Sequence, residues 1–148
     1  MPPYNAPSWK HLISAITTDA EFNSPVSATD FAAVEQQLKL SLPAELRELM
    51  LESNGITADY NVVWSIGDIQ RRNLEFRALK GFRELYMPFD HLLFFGDDGG
   101  GDQFAFAVQA DGIIHNPDIY RWEHETDARS WFAGRLEQFF ARILNRKR

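Results

Sequence analysis

Two apolar runs, Leu92 to Phe95 and Phe104 to Val108, are joined by Gly96-Asp97-Asp98-Gly99-Gly100-Gly101-Asp102. Strand-length apolar segments on either side of a Gly/Asp turn read as an antiparallel pair. This pairing constrains the fold more than any other stretch of the chain. Ile113 to His115 and Ile119 to Trp122 follow in quick succession and extend the pair into a meander. Asn61 to Trp64 is a further β-rich segment, so the sheet is expected to hold about four to six strands.

The flanking segments follow a different period. Behind Ser8, residues Trp9, Leu12, Ile13 and Ile16 fall on one helical face, and the helix is expected to end near Asp19. Ser27 or Thr29 caps a second helix with Phe31, Val34 and Leu38 inward. Pro43 fits the first turn of a third, which buries Leu46, Leu49 and Met50 and is expected to end at a left-handed Asn54-Gly55 cap. Ser65-Ile66-Gly67-Asp68 opens a short helix through Ile69, Arg72 and Asn73, and Phe82 to Asp90 reads as an irregular connection. Thr126 and Asp127 are expected to open a closing helix with Trp131, Phe132, Leu136, Phe139, Phe140 and Ile143 as its apolar stripe. Helices, then strands, then a helix, without βαβ alternation, make an α+β fold: an antiparallel sheet packed by N-terminal helices and a closing C-terminal helix. With no repeat and no dividing linker, residues 1–148 are expected to form one domain.

Charge and composition narrow the function. A net charge of −6 repels nucleic acid and favours a basic protein partner. The absence of cysteine excludes thiolate metal sites, catalytic thiols and disulfides. No apolar run approaches the length of a membrane span, and Met1 to Trp9 lacks an export signal, so a cytoplasmic protein is expected. No serine elbow, S-x-x-K pair or H-E-x-x-H spacing occurs, and neither a cofactor nor a metal is expected. His124, between Glu123 and Glu125, reads as part of a solvated polar turn.

The Gly/Asp turn admits three readings. Glycine accepts positive φ and Asp bonds its own turn amides, which makes a tight reversal. Three carboxylates suggest calcium, but D-x-[DN]-x-[DN]-G spacing and the terminal Glu are missing. An acidic tip facing a basic partner is compatible with the first reading. Asp97, Asp98 and Asp102 are therefore the leading candidates for partner binding, with Trp122, Glu123 and Glu125 as further candidates.

Taken together, Leu42-Pro43-Ala44-Glu45-Leu46-Arg47-Glu48-Leu49 with Asn54-Gly55, the run from Leu93 to Phe106, and the ending at Trp131, Phe132, Phe139 and Phe140 resemble the SUKH superfamily in its Smi/Knr branch. The resemblance covers about Thr29 to Leu144, with the first helix before it. It implies a non-enzymatic α+β binding protein. In bacteria such a protein is commonly an immunity protein that blocks a toxin, often a basic nuclease, by stoichiometric occlusion. Fungal relatives imply the alternative, a regulatory scaffold that binds a cellular partner. The family's binding surface varies, so the resemblance transfers no contact residues.

Overall fold

The computed structural model describes residues 8–78 and 89–144. Among these, five helices and seven strands run in the order α1 (Trp9–Ile16), β1 (Glu21–Phe22), α2 (Ala28–Leu38), α3 (Ala44–Met50), β2 (Ile56–Thr57), β3 (Asn61–Val63), α4 (Ile66–Ala78), β4 (Leu92–Asp97), β5 (Gln103–Ala107), β6 (Ile119–Glu123), β7 (Ala128–Ala133) and α5 (Leu136–Ile143). Strands β1, β2 and β3 form a small antiparallel sheet, and β4 to β7 form a four-stranded antiparallel meander. The fold is α+β, as the order of periodicities implies.

Local chemistry accounts for the helix starts. Ser8 accepts from the His11 amide at 3.1 Å, and the Glu52 carboxylate accepts from the Trp9 and Lys10 amides, both at 3.0 Å. Ser27 and Asp30 form a reciprocal capping box at the start of α2. Ser65 caps Asp68 at 3.1 Å, as its S-x-x-D spacing suggests.

Aromatic side chains fill both faces of the large sheet. On one face Phe139 of α5 meets Phe95 and Phe104, with ring centroids 5.2 and 5.0 Å away. On the other, Phe76 of α4 and Phe89 pack with Phe94 and Trp122. Burial of such large apolar surfaces is the main stabilising contribution.

The outer edge of β4 is closed without a further full strand. Asn73 is 1% exposed and works as a substitute strand residue. Its Nδ2 donates to the Phe94 carbonyl and its Oδ1 accepts the Phe94 amide, both at 2.9 Å. Beside it, the Trp64 amide donates to the Phe95 carbonyl at 2.7 Å. Here β3 passes so close that a Cβ on Gly96 would lie 1.9 Å from the Val62 carbonyl oxygen.

Four local expectations need correction. Thr126 and Asp127 end a turn instead of opening the last helix; Ala128–Ala133 is strand β7, and α5 starts at Leu136. Trp131 and Phe132 therefore leave the helical stripe, and Trp131 stands 49% exposed on β7. Ile113 to His115 is not a strand, because a local turn consumes its backbone: Gln109 N donates to Ile113 O at 3.0 Å and Ile113 N to Asp111 Oδ1 at 3.0 Å. Asn54-Gly55 does not cap α3, which ends at Met50; Gly55 turns at φ +88° into β2, while Asn54 Oδ1 accepts the Ile66 amide of α4 at 2.7 Å. The connection expected over Phe82 to Asp90 lies mostly outside the described residues. Among the described residues no helix is long and apolar enough to cross a membrane.

Candidate functional site

The antiparallel meander sends the β4–β5 and β6–β7 turns to the same end of the sheet, and the β2–β3 turn joins them there. Two glycines make the three turns interlock. Gly99, at φ +83°, lies against Tyr60, whose Cβ would be 3.1 Å from an added methyl. Gly101, at φ +109°, lies under the imidazole of His124, and three ring atoms would come within 2.9 Å of a Cβ there. Side chains rarely adopt these backbone angles, and here they would also collide with a ring.

This end gathers Asp59, Asp97, Asp98, Asp102, Glu123, Glu125 and Asp127, against the guanidinium groups of Arg121 and Arg129. Counted over the turns and their flanking strands, with His124 neutral, that leaves an excess of five negative charges, where the whole chain has a net charge of −6; Arg72 of α4, stacked 4.6 Å over the Trp64 ring, is a further cation beside Asp97. The negative character of the protein is concentrated on its hairpin end.

Within the cluster the carboxylates divide by role. Asp97 accepts from the Trp64 indole at 2.8 Å and from the Gly99 amide at 2.9 Å, fixing the turn to β3. Asp98 accepts the Gly100 amide at 2.8 Å and faces Arg121 at 3.4 Å. Asp102 receives Arg121 at 2.8 Å on one oxygen, and on the other the His124 ring at 2.7 Å and the His124 amide at 3.1 Å. Side chains of Asp98 and Asp102 are only 10% and 15% exposed, so both are tied into the scaffold. Trp122 is 3% exposed; its indole donates to Asp127 at 2.7 Å and supports the β6–β7 turn from beneath. By contrast Glu125 is exposed and Glu123 half-buried, and their carboxylates make no hydrogen bond or ion pair among the described residues. The structure thus brings all six sequence candidates to one end, with Glu125 exposed and Glu123 half-buried there.

Arg121, His124 and Asp127 were not singled out as site residues from sequence. His124 is no merely solvated turn residue, because it clasps one turn to the other. Its hydrogen bond to Asp102 holds the imidazole pKa above the ordinary histidine value. Burial pushes the Asp102 carboxyl up, but the hydrogen bonds from His124 and Arg121 outweigh it and leave the pKa below the usual aspartate value. The clasp therefore stabilises the fold most between these two titrations. On acidification it is lost as pH falls through the depressed Asp102 pKa. On alkalinisation the histidine's contribution, complete below the ordinary imidazole value, is lost as pH rises through its raised one.

Away from this end, a concavity of about 350 Å³ lies near the β5–β6 connection between Pro43, Glu45, Ile114, Pro117 and Arg135. Its charged rim is self-paired, Arg135 with Glu45 at 3.1 Å and His115 with Asp111 at 2.7 Å. Among the described residues no group of three His, Asp or Glu side chains is placed to hold a metal ion.

Compared with known families, the sequence matches the SMI1 / KNR4 family (SUKH-1) over residues 25–142. The chain belongs to this family. The match begins just before α2 and ends within α5, so it takes in all three interlocked turns of this SMI1 / KNR4 chain. Among curated proteins none matches it. Membership agrees with the motif order seen in the sequence and supports a Smi/Knr-like or immunity-type role in general terms.

Proposed function

We propose that this chain is a non-enzymatic immunity protein that binds a basic toxin domain through its acidic hairpin end and neutralises it by stoichiometric occlusion. The carrying observation is the excess of five negative charges on three interlocked turns, with Glu125 exposed and Glu123 half-buried. A compact patch of one sign draws a cationic surface into register before contact and raises the encounter rate. The same patch repels the phosphate backbone, so the partner is a protein and not a nucleic acid. Asp97, Asp98 and Asp102 contribute field and shape, while the two glutamates make the direct charge contacts. The family supports this reading in its general form.

Capture of partners from a lysate of the protein's own source, at low and high salt, tests the reading. A stoichiometric basic toxin domain released by salt is expected; recovery of regulatory proteins alone would favour the scaffold alternative. With the captured toxin in hand, Glu123→Lys/Glu125→Lys is expected to slow association at low salt by about tenfold or more and to flatten its salt dependence. Unchanged kinetics would remove the hairpin end from the interface.

A further inference from the structure

Among the described residues of the three turns, His124 is the side chain whose charge changes between about pH 5 and 8. Its position gives that change a mechanical and an electrostatic consequence. The ring Nδ1 is 2.7 Å from Asp102 Oδ1, and the backbone N–H of the same residue donates to the same oxygen at 3.1 Å. Against Gly101 the imidazole closes over the β4–β5 turn. Asp98 and Asp102 face it from that turn and Glu125 from its own turn, while Arg121 of β6 holds the second Asp102 oxygen. With its side chain 40% exposed, the imidazole exchanges protons with solvent without any opening of the fold.

We infer that His124 is a proton gate on the acidic end: its protonation cancels one of the excess negative charges and tightens the clasp to Asp102, so a cationic partner associates less strongly on the acid side of its titration than on the alkaline side. The gate rests on the reading of the hairpin end as the docking surface. The hydrogen bond to Asp102 raises the titration above the ordinary imidazole value. Linkage makes the effect reciprocal, since a bound cation favours neutral imidazole and expels its proton.

A fluorescently labelled deca-lysine peptide is a suitable probe, being fully cationic from about pH 5.5 to about pH 8.5. Its affinity is read by anisotropy at a fixed ionic strength of about 50 mM, where charge effects survive screening. For the unaltered chain the affinity is expected to rise about threefold across this range. His115→Gln, altered where the ring pairs with Asp111 away from the acidic end, should keep the rise, and His124→Gln should abolish it. A nuclear magnetic resonance titration of His124 in the unaltered protein should show its pKa falling when the peptide is added. A rise that persists in His124→Gln, or a His124 pKa indifferent to the peptide, overturns the gate and leaves the docking surface standing. Deca-lysine binding that is absent, or that is insensitive to Glu123→Lys/Glu125→Lys, overturns the docking surface and the gate together.

Discussion

Gly96→Ala is expected to cost about 4 kcal/mol or more, enough to leave a chain of this size barely folded. The new methyl would sit 1.9 Å from the Val62 carbonyl oxygen, and the obstacle is backbone, which cannot rotate aside. Relief requires β3 to retreat from β4. That retreat breaks the 2.7 Å hydrogen bond from the Trp64 amide to the Phe95 carbonyl and strains the Trp64 indole on Asp97. Urea denaturation provides the measurement, with Gly67→Ala as its counterpart. No atom lies within 4 Å of a Cβ added at that helical glycine, so the second variant should gain roughly 0.5 to 1 kcal/mol. Equal midpoints for the two variants would mean that β3 and β4 do not approach so closely.

Asn73→Leu is the second large effect, and it separates polar pairing from packing. Leucine nearly matches asparagine in size, yet it leaves the Phe94 amide and carbonyl without their 2.9 Å partners on the buried edge of β4. Two buried backbone groups stranded in this way cost about 3 kcal/mol together, against a small gain from the added apolar surface. For a domain of this length the melting temperature should fall by roughly 6 to 12 °C. Hydrogen exchange should speed up first at Phe94 and then along β4. A variant as stable as the parent would show that water or a neighbouring group satisfies that edge.

Neither residue announces its importance in the sequence. Helical segments were legible because Phe31, Val34 and Leu38, or Leu46, Leu49 and Met50, repeat with helical spacing and become buried along one face. Both strands around the Gly/Asp turn were legible as dense apolar runs. Strand β7 was not, because Trp131 and Phe132 happen to continue the apolar spacing of Leu136, Phe139 and Phe140. Gly134, between the two elements, is the punctuation that marks the break. Two-residue strands such as β1 and β2 are too short to show any period.

The acidic end was half legible in the same sense. Three of its seven carboxylates crowd one heptapeptide, but the side chains that bind them come from elsewhere, Trp64 from before the turn and Arg121 and His124 from about twenty residues after it. Arg121 reaches Asp98 and Asp102 because β5 and β6 pair Phe104 with Arg121, a register that composition does not encode. Asn73 likewise meets Phe94 only through the packing of α4 on the sheet edge. Sequence periodicity reports which face of an element is apolar, while pairing across the fold decides which polar groups meet.

Tyr60 on Gly99 and His124 on Gly101 also bear on the entropy of recognition. Flexible loops must be ordered when they bind, and each immobilised side chain then subtracts roughly 0.5 to 1.5 kcal/mol from affinity. Three turns already wedged together by two rings have little of that freedom left to lose. The scaffold is therefore preorganised, and Glu123 and Glu125, which take no part in the two ring contacts, can be replaced without disturbing the wedge.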